Sequence, residues 1–117
     1  LGVIAPNQSI YNDINSRKYK VVKPVSYSLI KSSIIGLTKY TATYWGKDNV
    51  RCNTLAPGGV YEKSQDKEFV KKISSLIPMG RMATQYDIIG ALCFLLSDSS
   101  SYVNGQVFLV DGGRTAW

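Results

Sequence analysis

The sequence predicts an α/β fold in which parallel strands alternate with helices. Three observations favour this class: a long segment with helical periodicity from about residue 25, two short strand-like segments far apart in the chain, and helical segments between them. Long helical connections of this kind join strands that lie parallel in one sheet. Two strands cover too little apolar helix surface to be stable alone, so the chain is expected to be the C-terminal part of a larger sheet.

The size and composition of the chain are those of a globular domain. The 117 residues are 44% apolar, which suffices for a buried core. No apolar run approaches the roughly 18 residues of a membrane-spanning helix, and the N-terminus has no signal-peptide pattern. We therefore expect a cytoplasmic protein without a membrane partner. The chain lacks an initiating Met and opens within a loop, "LGVIAP", so its N-terminal half is expected to be absent.

The ionisable residues exclude several classes of chemistry. The net charge is +6, but the lysines and arginines are scattered, which is typical of a solvated basic surface rather than a nucleic-acid site. The chain contains no His, which excludes Ser-His-Asp hydrolysis and most zinc sites. Cys52 and Cys93 lie in apolar patterns without metal-ligand spacing, so buried free thiols and no metal site are predicted.

The first elements are a loop and a long helix. Residues 1–24 have no stable period and predict a long loop with one helical turn near Gln8–Asn12. The apolar spacing that follows predicts one helix, Ser26–Gly46, which ends at its glycine. The side chains expected on its apolar face are those of Tyr27, Ile30, Ile34, Leu37, Thr38, Thr41 and Trp45.

A buried parallel strand is predicted next, at Val50–Leu55, because the segment is apolar and Pro57 with two glycines closes it. Residues 61–80 are charged and predict a lid or a short helix. Its apolar face is expected to hold Phe69, Ile73 and Leu76.

The last two elements are a helix and a strand. Thr84 is predicted to cap a helix over residues 85–98. The dense apolar run Ile88–Leu96 within this helix predicts burial on most sides. A final strand is predicted at Gln106–Val110, and "DGG" predicts a turn after it.

Two Tyr-x-x-x-Lys spacings occur, and only one fits a helix. Tyr27 and Lys31 lie inside the predicted helix, where residues four apart share a face. Tyr19 and Lys23 have the same spacing, but Pro24 directs Lys23 out of helical geometry. We therefore expect only the pair Tyr27 and Lys31 to meet.

Three motifs in this order carry a resemblance to a known family. Tyr27-x-x-x-Lys31 at a helix start, then "NVRCNTLAPGGV" and "SSYVNGQVFLVDGG", together resemble the C-terminal half of a short-chain dehydrogenase/reductase. The similarity spans residues 1–113 and is closest to members associated with bacterial surface-sugar or flagellin modification. It implies that residues 1–117 are the C-terminal portion of one NAD(P)-binding domain with a Rossmann-type, doubly wound parallel sheet. It also implies NAD or NADP as cofactor, a small carbonyl or alcohol substrate such as a sugar derivative, and a homo-oligomer.

The resemblance assigns catalytic roles to Tyr27 and Lys31. Carbonyl reduction or alcohol oxidation needs a proton donor or acceptor beside the carbon that exchanges hydride. A free phenol has a pKa of about 10, and a nearby cation favours its phenolate. Tyr27 is therefore expected to transfer the proton. Lys31 is expected to supply the cation and, by the resemblance, to bind the nicotinamide ribose.

The turn "PGGV" is expected to bind the cofactor through its backbone. Gly58 and Gly59 carry no side chain that would obstruct a flat ring. The resemblance places the turn, which begins at Pro57, against the nicotinamide, and Val60 against the carboxamide through its main chain. One departure is Glu62, where the family often has Thr, so a side-chain contact to the cofactor phosphates is not expected there.

Other family positions have structural or unassigned roles. Asn53 and Asp111 are expected to fix strand ends by hydrogen bonds to the backbone. The glycine-rich phosphate loop and the catalytic Ser and Asn are expected upstream of this chain. A non-catalytic reading therefore stays open, in which the fragment is an oligomerisation or scaffold module. The isolated chain is expected to be inactive in either case.

Overall fold

The computed structural model describes residues 2–11 and 22–116. Its regular elements are α1 (Val25–Tyr44), β1 (Thr54–Pro57), α2 (Lys67–Ser74), α3 (Gln85–Leu96) and β2 (Val107–Val110). Short 3-10 turns occur at Gln8–Tyr11, Gly46–Asp48 and Asp98–Ser100, and the first of them lies where a helical turn was predicted. Within the described ranges, no helix is long and apolar enough to cross a membrane.

The two strands pair in parallel, which confirms the predicted α/β class. The register runs from Thr54 opposite Val107 to Pro57 opposite Val110. Between the strands the chain crosses over through α2 and α3, as the rule for parallel neighbours requires. The carboxyl ends of β1 and β2 therefore meet at one edge of the sheet.

The predicted start of the first strand, at Val50–Leu55, is wrong by four residues. Before β1, side chains replace part of the backbone pairing between the two segments. Asn53 Nδ2 donates to the carbonyl oxygen of Val103 at 2.9 Å, and Asn53 Oδ1 accepts from the backbone N–H of Gln106 at 3.0 Å. The ladder therefore starts after Asn53 and Gln106, and the predicted structural role of Asn53 is confirmed.

The first helix ends earlier than predicted. Trp45 leaves helical geometry with a ψ of 7°, and a 3-10 turn follows over Gly46–Asp48. Asn49 then adopts a left-handed conformation with a φ of 62°. The predicted stop at Gly46 therefore lies inside the turn rather than at the end of α1.

The buried face of α1 differs from the predicted apolar face. Thr38 and Ala42 are buried, whereas Ile30 and Leu37 are 61% and 64% exposed. The hydroxyl of Thr38 forms a 2.6 Å hydrogen bond with the hydroxyl of Thr54 in β1. Small side chains allow α1 to approach the sheet closely, so the larger apolar side chains point elsewhere.

The N-terminus of α3 confirms the predicted cap, but its burial was predicted wrongly. The carboxylate of Asp87 accepts from both the backbone N–H and the hydroxyl of Thr84. No side chain of α3 is buried, and Leu96 is 76% exposed. The run Ile88–Leu96 faces a sheet of only two strands, which is too narrow to cover it.

For the two cysteines, too, the chemical state was predicted correctly and the burial only in part. Cys52 and Cys93 are both free, as predicted. Cys52 is partly buried, but Cys93 lies on α3 and is exposed, so the prediction of two buried thiols is wrong.

The second helix, α2, is the short helix predicted for the charged segment. Asp66 caps it by accepting from the backbone N–H of Phe69 at 2.9 Å. Phe69 and Ile73 are partly buried, and α2 packs against the 3-10 turn Gln8–Tyr11 of the N-terminal segment. The buried apolar side chains of the described residues are Ile10, Ala42, Ile77 and Met82.

Candidate active site

A cavity of about 380 Å³ lies at the edge of the sheet where β1 and β2 end. Open parallel sheets bind ligands at this edge. Its walls are segment 2–11, the first turns of α1, the turn after β1 and the end of α2. Of the site residues predicted from the sequence, those lining it are Tyr27, Lys31, Pro57, Gly58 and Gly59.

Tyr27 and Lys31 lie on one face of α1, beside the cavity. The Nζ atom of Lys31 is 5.6 Å from the centre of the Tyr27 ring. Tyr27 is partly buried, and Lys31 is exposed. The predicted placement on one helix face is confirmed, and the ammonium lies within electrostatic reach of the phenol.

A second lysine, Lys23, lies closer to Tyr27 than Lys31 does. Its Nζ atom is 4.3 Å from the centre of the Tyr27 ring and 5.8 Å from the centre of the Tyr11 ring. Both distances are within the roughly 6 Å over which a cation and an aromatic face attract each other. Sequence reasoning missed this residue because it considered Lys23 only with Tyr19, which lies outside the described residues.

Gln8 holds the backbone of Lys23 in place. The side-chain amide of Gln8 donates to the carbonyl oxygen of Lys23 at 3.0 Å and accepts from its backbone N–H at 2.9 Å. This pair of hydrogen bonds joins the N-terminal segment to the residues just before α1. No spacing signal marks Gln8 in the sequence, because it meets Lys23 only in the folded chain.

Tyr11 forms the neighbouring wall of the cavity. Its ring centre is 5.9 Å from that of Phe69 in α2. Burial raises the pKa of the Tyr11 hydroxyl above its ordinary value, and the nearby Tyr27 contributes to the rise. Tyr11 is therefore a neutral side chain at physiological pH.

Packing within the chain requires a glycine at the first position after β1, Gly58. The backbone N–H of Gly58 donates to the carbonyl oxygen of Val110 at 2.9 Å. A Cβ atom on Gly58 would lie 2.9 Å from the Cα of Asp111, closer than real Cβ contacts come. A Cβ on Gly59 would lie 3.1 Å from the Cε of Met82. Packing therefore explains Gly58, whereas the contact at Gly59 is with a side-chain end that can shift. Both glycines also line the cavity.

Val60 is not among the residues that line the cavity. It forms an isolated parallel bridge with Ala83, and its carbonyl oxygen accepts from Nε2 of Gln65 at 3.2 Å. The predicted main-chain contact of Val60 with a cofactor stays a prediction.

Asp111 stabilises the turn that follows β2. Its carboxylate accepts from the backbone N–H of Gly113 and Thr115, both at 3.0 Å, and from the Thr115 hydroxyl at 2.7 Å. The predicted structural role of Asp111 is confirmed. Arg114 also lines the cavity, and the sequence offered no signal for it.

Known proteins resemble this chain in sequence. A family model described as enoyl-(acyl carrier protein) reductase matches residues 10–115. The 2-dehydro-3-deoxy-D-gluconate 5-dehydrogenase of Dickeya dadantii is 36% identical over 100 residues, which cover 81% of this chain and 40% of that protein.

Two solved structures resemble it in fold. The short-chain dehydrogenase of Leptospira borgpetersenii with bound NAD+ gives a TM-score of 0.85 at 36% identity, over 97% of this chain and 41% of that one. A Beutenbergia cavernae structure described as an NAD(P)-dependent gluconate 5-dehydrogenase, with bound NADP, gives a TM-score of 0.75 at 38% identity. The match covers 87% of this chain and 42% of that one. The chain thus spans about two fifths of the length of these relatives. Its fold, with its parallel sheet, is the Rossmann fold of those dehydrogenases, and the chain belongs to the short-chain dehydrogenase/reductase family.

Proposed function

We propose that this chain is the C-terminal portion of a single NAD(P)-binding domain in an oxidoreductase. The full-length enzyme that contains it transfers hydride between NAD or NADP and the carbon of a small carbonyl or alcohol substrate. The NAD+ and NADP bound in the two similar structures support this cofactor class. The relatives' names, which include a gluconate dehydrogenase, support a sugar derivative as substrate.

The observation that carries the proposal is the shared cavity of Tyr27, Lys31 and the Pro57–Gly59 turn. The residues present fit the nicotinamide end of the cofactor. The turn is a wall without side chains at two of its positions, and the ammonium of Lys31 lies on the same cavity. When bound, the cofactor supplies or accepts the hydride.

Tyr27 is the proton donor in carbonyl reduction and the proton acceptor in alcohol oxidation. Its ring lies at the cavity wall, where the hydroxyl can contact the reacting oxygen. Lys31 stabilises the negative charge that this hydroxyl carries after losing its proton, because an opposite charge nearby favours the charged form. Lys31 also binds the ribose hydroxyls, as an ammonium has three hydrogen-bond donors to offer.

The test is a Tyr27→Phe substitution in the full-length enzyme. The ring and its packing are kept, so circular dichroism should show an unchanged fold. Turnover should fall by a factor of about 10² to 10⁴, the contribution of general acid-base catalysis. Tyr40→Phe is the matched control, since Tyr40 lies on the same helix, is 58% exposed and does not line the cavity. A folded Tyr27→Phe enzyme with nearly normal kcat would refute the proposal.

A further inference from the structure

The proposed function assigns no role to Lys23, yet the fold places its ammonium over the ring of Tyr27. The ammonium lies over the Tyr27 ring at 4.3 Å, and two hydrogen bonds from Gln8 fix the backbone that carries it. The residue is partly buried and lines the cavity. Holding a lysine in this way costs side-chain entropy, which the two aromatic contacts and a bound anion would offset.

The charges around the cavity are unbalanced. Lys23, Lys31 and Arg114 line it, and Asp111 is the only acidic residue among the described lining residues. The Asp111 carboxylate already accepts three hydrogen bonds from the turn after β2. In the part of the chain that the structure describes, no carboxylate forms an ion pair with Lys23. The lining residues that the structure describes therefore carry a net positive charge.

The two aromatic rings beside Lys23 do not neutralise its charge. Tyr11 is the other ring beside its ammonium, and burial raises the pKa of that hydroxyl, so it carries no charge at physiological pH. Aromatic faces hold a cation without removing its charge. The ammonium of Lys23 is thus held in place and still available to an anion.

We propose that Lys23 is a specificity-determining residue that binds the carboxylate of the substrate, and that the substrate is a small hydroxy acid or keto acid. The inference rests on the proposed function, because it places this carboxylate beside the proton-transferring Tyr27. At about 380 Å³, the cavity is at the small end of the roughly 300–1,000 Å³ usual for ligand sites, and the nicotinamide shares it. A compact acid fits the space that is left.

The carboxylate takes no part in the bond changes. In the oxidation of the hydroxy acid, the carbinol C–H bond breaks and its hydride passes to the oxidised nicotinamide. The O–H proton passes to Tyr27, and the carbonyl forms. Lys23 binds the unchanged carboxylate throughout, so this contribution is expected in the binding of the acid and not in that of its alditol.

The experiment compares matched substrates in the full-length enzyme with saturating cofactor. The panel contains D-gluconate, D-mannonate and L-threonate, the alditol of each acid, and a phosphate monoester of each alditol. The variants are Lys23→Gln, Lys23→Arg to restore the charge, and Lys47→Gln as a control at an exposed lysine outside the cavity. Steady-state rates give kcat and KM for substrate and cofactor, and calorimetry with the reduced cofactor gives binding of the same acids without turnover.

The acids should exceed their alditols and phosphate esters in kcat/KM by at least about tenfold. Lys23→Gln should raise the KM and the calorimetric Kd of the acid by about 10- to 100-fold, as expected for one hydrogen bond between charged groups. It should leave the KM of the cofactor within about twofold. Any change of kcat that comes from the charge beside Tyr27 should be the same for the acid and its alditol, whereas the change of KM should be confined to the acid. Lys23→Arg should recover most of the loss, and Lys47→Gln should change nothing.

Several results would overturn the inference. Equal effects of Lys23→Gln on acid and alditol would show that the charge does not select the substrate. If Lys23→Gln raises the KM of the cofactor instead, Lys23 binds the cofactor phosphates. If the enzyme prefers the phosphate esters to the acids, the anionic group that Lys23 binds is a phosphate and not a carboxylate. If Tyr27→Phe still lowers turnover by about 10² or more in these cases, the proposed function stands and this inference alone fails. If Tyr27→Phe retains nearly normal kcat, both fail.

Discussion

Lys31 has two roles in the proposed reaction, and kinetics can separate them. Lys31→Ala removes both the charge beside Tyr27 and the donor to the ribose. We expect kcat to fall by about 10²-fold, as for the loss of a group that assists proton transfer, and the KM of the cofactor to rise about tenfold. Lys39→Ala is the control, since Lys39 is exposed on the same helix and does not line the cavity. An unchanged cofactor KM in Lys31→Ala would remove the ribose-binding role.

Gly58 and Gly36 differ sharply in what a methyl group would meet. An alanine at Gly58 would place its Cβ 2.9 Å from the Cα of Asp111, whereas nothing lies within 4 Å of a Cβ at Gly36. Gly58→Ala should lower the free energy of unfolding by about 1–3 kcal/mol through overpacking. Gly36→Ala should raise it by about 0.5–1 kcal/mol through helix propensity. Urea unfolding of the two full-length variants is the measurement, and equal midpoints would contradict the packing argument.

At the scale of single residues, the sequence predicted those side-chain contacts that follow from spacing within one helix. Tyr27 and Lys31 could be paired in advance because both lie in one helix, where spacing alone decides which side chains meet. Lys23 precedes α1, so no helical rule applies to it. Its approach to Tyr27 depends on Gln8, which is 15 residues away in the chain. Such contacts arise from tertiary structure and leave no spacing signal.

The start of α3 is held by a cluster of charged and polar groups. The guanidinium of Arg81 forms two hydrogen bonds with the carboxylate of Asp87, at 2.8 and 2.9 Å. The same carboxylate accepts from the backbone N–H and hydroxyl of Thr84. The bonds from Arg81 and then those from Thr84 hold the pKa of Asp87 well below its usual range.

This lowered pKa predicts how stability depends on pH. A carboxyl group whose pKa is lower in the folded than in the unfolded chain stabilises the fold above the unfolded value of about 4, and the stabilisation is lost as the pH falls below it. Asp87→Asn should therefore lower the Tm at neutral pH and weaken its decline at acidic pH. The measurement is thermal unfolding of the full-length enzyme and its Asp87→Asn variant at neutral and at acidic pH. Asp48→Asn is the control, because Asp48 is exposed and lies outside the cluster. Parallel Tm curves for Asp87→Asn and the unsubstituted enzyme would contradict the prediction.

At the scale of elements, order and type were predictable but burial was not. The cap at Thr84 and the parallel pairing follow from local residue types and from connection length. The buried face of α1 does not, because Thr38 is buried through its bond to Thr54 while the larger Leu37 is exposed. Which face of a helix is buried depends on what packs against it, and a periodic apolar pattern does not contain that information.

Over the whole molecule, the described chain is extended and leaves apolar surface uncovered. Its radius of gyration is 16.6 Å, where a compact domain of this length has about 13 Å. Leu29 and Leu37 on α1 and Tyr86 and Leu96 on α3 are each more than 60% exposed. Surface of this kind favours association with other protein segments. It suits either the rest of a domain or a second subunit, so the predicted homo-oligomer stays a prediction.

We expect the 117-residue polypeptide, expressed alone, to self-associate and to bind nicotinamide cofactor weakly or not at all. It should self-associate because its apolar faces are exposed. It should bind the cofactor weakly because, in our proposal, the described cavity contacts only the nicotinamide end. Light scattering should show particles larger than a monomer of 12.9 kDa. Calorimetry with NADH and NADPH should show no micromolar binding. Tight binding by this polypeptide would mean that the cofactor site is placed wrongly.

The hydrogen bond between Asn53 and Gln106 just before the strands also bears on the order in which the chain folds during synthesis. Asn53 and its backbone partner Gln106 are 53 residues apart. Ribosomes add roughly 5–20 residues per second, so β1 is complete for several seconds before its neighbour has been synthesised. The helix α1 needs no such wait, because helices form within microseconds from local contacts. Closure of the sheet is therefore the late event during synthesis, and until then the unpaired edge of β1 is open to wrong partners.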